Sequence, residues 1–188
     1  MEQARLAWKQ KQALWDPRRL VFIDETGLNT KMTRLYGRSA VGERCRDAVP
    51  HGHWHSSTFL AALRHDGFTA PLLIDGALDG DMFRAYVEQS LAATLSPGDI
   101  VILDNLSSHK VHGVRQAIEA RGAHLLYLPA YSPDLNPIEM AFSKIKAFLR
   151  RACARTYEEL MRAVADCLSL FTPQECINYF THAHYVSI

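Results

Sequence analysis

Apolar residues fall into two patterns along this chain: short unbroken runs, and stripes spaced at helical intervals. The runs LVFID (20–24), DIVILD (99–104) and HLLYL (124–128) are rich in β-formers and predict strands buried on both faces. STFLAAL and TAPLLI flank the turn-like HDG and predict a hairpin. Phe83, Val87, Leu91 and Leu95 recur at four-residue steps and predict a helix over 81–95. Ile138, Phe142, Ile145 and Leu149, at i, i+4, i+7 and i+11, predict another over 137–151. Leu160, Val164, Cys167, Leu168 and Phe171 mark a third over 157–170. Further helices are expected near 109–121, from Pro173 onward, and over 3–15, the last ended by Asp16-Pro17 because proline disfavours helix in the residue before it. Residues 25–53 form a long polar stretch carrying Lys31, Arg34, Arg38, Arg44 and Arg46 against Glu43 and Asp47.

The predicted order is strand, hairpin, helix, strand, helix, strand, helices. A hairpin beside strands joined through helices means an α/β fold with a mixed sheet and helices on both faces. A ribonuclease H-like fold has this architecture, although periodicity alone does not single it out. At 188 residues, with 48% hydrophobic and 22% charged positions, the chain has enough material for one well-buried core. The expected division is a linker tail or N-terminal helix at 1–16 and one domain at 17–188. No repeat or low-complexity segment interrupts it.

A net charge of +1 gives no global attraction to nucleic acid, membrane or acidic ligands, so a DNA partner would require cations clustered locally. The four cysteines are scattered without CxxC spacing and read as thiols in a reducing compartment. The N-terminus is polar rather than signal-like, and no apolar run approaches the roughly 20 residues of a membrane span. A soluble, cytoplasmic protein is expected.

Two aspartates end buried strands: Asp24 closes LVFID and Asp104 closes DIVILD. Open α/β sheets place ligands at the carboxyl ends of their strands. Asp is also a favoured turn residue, so either one alone reads as the start of a turn; the same pattern on two strands brings the two readings level. Glu139 has its own structural explanation. Asn136 suits an N-cap, Pro137 the first helical position, and a glutamate at the third completes a capping box. Thr156 with Glu159, and Thr172-Pro173 with Glu175, repeat the device. Stepping along the helix from Glu139 gives Ser143, Lys146 and Arg150, beside the apolar stripe. These cations could be a solvated surface, or could follow a DNA backbone away from a metal-bound phosphate.

Three carboxylates are a sufficient donor set for two-metal phosphodiester chemistry. The ions lie about 4 Å apart, one activating the attacking oxygen and the other stabilising the leaving one. Magnesium takes few carboxylates and keeps sites for water and phosphate. His51, His53 and His55 in HGHWH alternate on a possible strand and could hold zinc, but no acidic or cysteine partner stands nearby, and a solvent-facing edge strand is the simpler reading.

LVFIDET, VILDNLSSHK and YLPAYSPDLNPIE closely resemble the three signature blocks of the mariner-type superfamily of DDE transposases, in particular its bacterial insertion-sequence branch. The resemblance runs from about residue 18 to the C-terminus, and the 34 residues between Asp104 and Glu139 match the spacing of that branch. It implies a ribonuclease H-like catalytic domain in which Asp24, Asp104 and Glu139 are the catalytic and metal-binding triad for two Mg2+ or Mn2+ ions. Asp24 would bridge them. Asn105 and His109 match signature positions flanking the second aspartate. The implied activity is cleavage at transposon ends and transfer of the freed 3′-hydroxyl into target DNA at a TA dinucleotide, by a homodimer that pairs two ends. Relatives carry an N-terminal helix-turn-helix region with no counterpart here; in this branch a separate reading frame often encodes it. Lys144, Lys146, Arg150 and Arg151 are the expected DNA contacts, with Arg34, Arg38 and the loop to Arg46 second. Two alternatives stand beside this reading: a ribonuclease H-like nuclease of another substrate, and an inactive domesticated remnant that binds DNA or partner transposases.

Overall fold

The computed structural model describes residues 2–186. Its elements in chain order are α1 (Glu2–Gln12), β1 (Leu20–Asn29), β2 (Ser56–Arg64), β3 (Gly67–Asp75), α2 (Gly80–Tyr86), β4 (Ile100–Leu103), α3 (Val114–Glu119), β5 (His124–Tyr127), α4 (Pro137–Ala152), α5 (Tyr157–Leu168) and α6 (Pro173–His182). Five strands form one sheet in the order β3-β2-β1-β4-β5. β1, β2 and β3 are a meander of antiparallel neighbours, while β4 and β5 add in parallel on the other side of β1. The mixed sheet expected from the pattern of runs and stripes is present.

Strand alternation divides the core in two. Leu20 and Phe22 face one layer with Phe142, Ile145, Leu160 and Phe180 from α4, α5 and α6. Val21 and Ile23 face the other, with Phe83, Val87, Leu91, Val114 and Ile118. Edge strand β3 tolerates Pro71, and a register shift opposite Leu60–Ala62 accompanies Ala70 at φ 48°.

The structure refines several expectations. β1 runs five residues past LVFID to Asn29. The stripe expected to be one helix over 81–95 divides into α2, a π-turn at Val87–Leu91 and a 3-10 turn at Ala92–Thr94. Steps of four overshoot an α-helical turn by about 40° each, so an unbroken α-helix would rotate the stripe away from the sheet; the wider turn takes up the excess. The helix expected near 109–121 is a 3-10 turn at Ser107–Lys110 followed, after Gly113 (φ 101°), by α3. HGHWH forms no strand and lies exposed within the irregular segment 30–55. That segment's ends are clasped by Thr30 N–H to His55 O (3.1 Å) and His55 N–H to Thr30 Oγ1 (3.1 Å).

Helix α1, in the segment expected as a linker tail or N-terminal helix, packs into the main core. Trp8 is buried and donates its indole N–H to the Tyr185 hydroxyl (2.8 Å), which donates to Leu135 O (2.8 Å). Gln12 donates to Ala183 O (2.9 Å). Phe22 lies beneath this cluster, edge-on to Tyr185 and Phe180 with centroids 4.8 and 5.3 Å away. Phe22→Ala should lower unfolding free energy by about 3–5 kcal/mol in urea titrations; a loss under about 1 kcal/mol would contradict this packing.

Candidate active site at the carboxyl ends of two parallel strands

The parallel register of β1 and β4 pairs Ile23 with Leu103, so Asp24 and Asp104 follow at the same level on neighbouring strands. Both line a pocket of about 540 Å³, together with Glu139 from the first turn of α4, Asn105, Asn136 and the connection 128–133. Residues 115 positions apart in sequence are thus gathered at the sheet's end. Glu139 is exposed, Asp104 half-buried and Asp24 only 7% exposed.

The polar neighbours of the two aspartates differ. Asp24 Oδ1 accepts from the Glu25 N–H and its Oδ2 from the Asn136 side-chain amide, both at 2.8 Å. Burial, then the negative charge of Glu139, pushes its proton affinity up to about pKa 8, against the lowering effect of the Glu25 N–H; Glu25 and Asp104 add repulsion. Asp104 Oδ1 accepts from Leu106 N–H (3.1 Å) and meets His109 Nδ1 at 2.5 Å, while His109 Nε2 meets Glu25 Oε2 at 2.8 Å. An imidazole facing carboxylates at both nitrogens donates from both, so it is the imidazolium. Burial alone would depress the His109 pKa, but its bonds to Asp104 and Glu25 outweigh this and raise it to about 9. Burial alone would likewise raise Asp104, but the His109 and Leu106 hydrogen bonds carry it below the usual carboxylate range. The fully buried His109 ring also packs on Phe83, centroids 4.4 Å apart. Glu25, next to Asp24 on β1, also lines the pocket, so one strand serves both the pocket and the imidazolium.

The capping explanation of Glu139 separates into parts. Thr156 and Glu159 make a full capping box. At α4, Asn136 occupies the N-cap position but makes no side-chain cap; its amide goes to Asp24. Glu139 keeps its backbone bond to Asn136 O (3.3 Å) and leaves its carboxylate in the pocket. Among the described residues the buried Asn136 Oδ1 has no partner.

The cations sort by position. Lys146 and Arg150 line a groove with Gly27, Lys31, Met32 and the exposed Trp54, where the Lys31 ammonium lies 4.4 Å from the Trp54 ring centroid. Arg34 and Arg151 meet around Arg150 in an adjoining depression. The helix edge and the loop, separate candidates in the sequence, therefore form one basic surface; Arg38 lies further along the exposed segment. Lys144 points elsewhere, paired with Glu175 at 2.6 Å and seated over Phe171. Sequence reasoning passed over Arg155, which anchors the start of the loop by donating to Thr30 O (3.1 Å) and Met32 O (3.0 Å). It also passed over Arg5, which donates to Ser132 Oγ (2.7 Å), Tyr131 O (3.4 Å) and both oxygens of Asp134 (2.9 and 2.7 Å). The Asp134 pair was discoverable only as a missing partner for an acid within SPDLNP.

The donor set fits a hard divalent cation: carboxylate oxygens in one pocket, with Asp24 losing its proton reluctantly because it is buried and lies beside the Glu139 charge. They do not close into a cage; among the described residues no three His, Cys, Asp or Glu side chains are gathered into a metal-binding group. An open arrangement leaves coordination sites for water and phosphate.

The architecture matches solved structures of the Mos1 mariner transposase, whose catalytic domain has the ribonuclease H-like fold. The match to its paired-end complex with the left transposon end has a TM-score of 0.73 at 16% identity, covering 96% of this chain and 56% of that one. A paired-end complex with Mg gives 0.70 at 18% identity, covering 97% and 56%. The isolated Mos1 catalytic domain gives 0.66 at 13% identity, covering 98% and 86%. This chain thus spans just over half of the Mos1 chain in those DNA complexes. No curated protein sequence matches it. The family model for DDE superfamily endonucleases matches residues 19–161, and the chain belongs to that family.

Asp24 and His109 both hold protons to higher pH in the folded chain than when unfolded. The metal-free protein should therefore lose stability as pH rises from about 4 to about 9, and Asp24→Asn should remove the fall below about pH 6.5 and make it shallower from there to about pH 8, where His109 still contributes. Thermal midpoints across that range check the sign; a midpoint that rises with pH would contradict it.

Proposed function

We propose that this chain is the catalytic domain of a transposase of the bacterial insertion-sequence type, cutting DNA at transposon ends and joining the freed 3′-hydroxyl to a TA target. The observation that carries this reading is the side-by-side exit of Asp24 and Asp104 from two parallel strands, with Glu139 delivered to the same pocket by α4. Family membership supports the reaction class. Metal-bound Mos1 structures support divalent ions, for which Mg2+ or Mn2+, two per site, is the proposed complement.

Asp24, Asp104 and Glu139 would hold the ions, which would supply charge neutralisation and activation for in-line attack on a phosphodiester. Asn136 holds one Asp24 oxygen through its side-chain amide. His109 holds Asp104 ionised and turned toward the pocket, with Glu25 balancing the charge behind it. Lys146 and Arg150, joined by Lys31, Arg34 and Arg151, carry the DNA backbone away from the pocket. The working form is a homodimer in the cytoplasm, completed by a helix-turn-helix portion that reads the transposon ends. Among the described residues no helix is long and apolar enough to cross a membrane.

With a labelled duplex ending at a TA-flanked transposon end and a helix-turn-helix partner supplied, cleavage should require Mg2+ or Mn2+. Asp104→Asn should reduce it at least about a thousandfold, the scale of removing a major electrostatic element of a site, with an unchanged circular dichroism spectrum. Undiminished cleavage by Asp104→Asn would sink the triad assignment, and a preference for RNA–DNA hybrids would favour a nuclease of another substrate. Separately, Lys146→Glu with Arg150→Glu should weaken duplex binding and make its salt dependence shallower by about two contacts' worth; unchanged binding would reduce this surface to a solvated face.

A further inference from the structure

On the footing of that DNA-cleaving role, we propose that Tyr131 is a nucleobase-stacking platform at the mouth of the carboxylate pocket, held ready by Arg5. Tyr131 lines the same pocket as Asp24, Asp104 and Glu139, yet the residue is 87% exposed. Its φ of 55° lies in the left-handed region that favours glycine, an unusual position for a bulky aromatic. The residues beside it explain how that backbone is held. Arg5 of α1 donates to Tyr131 O and Ser132 Oγ and forms a two-point pair with Asp134. Ser132 is buried and donates to Ala130 O (3.3 Å). Pro129 and Pro133 stiffen the turn on either side. A fixed backbone thus displays a ring that, among the described residues, stacks on no aromatic neighbour and whose hydroxyl has no hydrogen-bond partner.

Such a ring suits the chemistry next to it. Where a strand is cut or ends at the pocket, the base beside the scissile phosphodiester loses a stacking neighbour. An aromatic face replaces that neighbour whatever the base, and a tyrosine with two side-chain torsions loses little entropy in doing so. Base–aromatic stacking is worth about tenfold or more in affinity. The latch also gives α1 a part in the site: it sets the turn that positions the ring, so an element at the start of the chain acts on the pocket through one arginine.

The test uses the full 188-residue chain and a DNA duplex with a short single-stranded 3′ tail carrying 2-aminopurine beside the scissile position, in calcium. The unaltered protein should quench the 2-aminopurine fluorescence on binding. Tyr131→Ala should lose the quenching and about tenfold in affinity, Tyr131→Phe should keep both, and Arg5→Ala should weaken the quenching. Tyr131→Gly relieves the backbone conformation, so its thermal midpoint should be equal or higher while binding falls as for alanine. That opposite movement separates a binding role from a structural one. Quenching and affinity unchanged in Tyr131→Ala would overturn the proposal while leaving the DNA-cleaving reading in place. No DNA binding by the unaltered chain, even with the helix-turn-helix partner, would overturn both.

Discussion

Parallel pairing of β1 with β4 is the constraint on which the site depends. In-register parallel strands bring equivalent positions level, so residues 80 positions apart leave the sheet together as two carboxylates. Both strands are buried on both faces up to that point, which fixes the register: a slip of one residue would drive Asp24 or Asp104 into an apolar layer. The apolar core therefore specifies the spacing of the polar site.

Gathering anions at the end of a sheet has an electrostatic cost, and the fold offsets it unequally. Asp104 is compensated by the His109 imidazolium, itself shared with Glu25 of β1. Among the described residues Asp24 accepts from only the Asn136 amide and one backbone N–H, and its burial holds its proton to about pH 8. The shortfall is concentrated on the most buried carboxylate, next to an open pocket. A divalent cation there would be met by a preformed demand for charge rather than by a relaxed, neutralised site.

Much of this was legible because the strands and helices obey local rules. The runs LVFID, DIVILD and HLLYL and the stripe of α4 follow from burial alone, and the SPDLNPIE block carried the resemblance to DDE transposases. Two aspartates bracket DIVILD, and their roles differ by strand end: Asp99, at the start, is buried and paired with Arg64 (2.7 Å), while Asp104, at the end, faces the pocket. What could not be read required long-range contact. Arg5 meets Asp134 across 129 positions and Asn136 meets Asp24 across 112, and neither pairing leaves a periodic trace. Asn136 also matched a local N-cap rule whose side-chain bond it does not make. The packing of α1 was hidden for a related reason: it answers to the surface it lies on rather than to its own sequence.

The central claim is that Asp24, Asp104 and Glu139 form one metal site. Crystals of the protein soaked in Mn2+ and measured at the manganese absorption edge test it most directly. The account predicts anomalous density within coordination distance of Asp24, shared with Asp104 on one side and Glu139 on the other. Manganese bound only elsewhere, with the three carboxylates still apart, would contradict it.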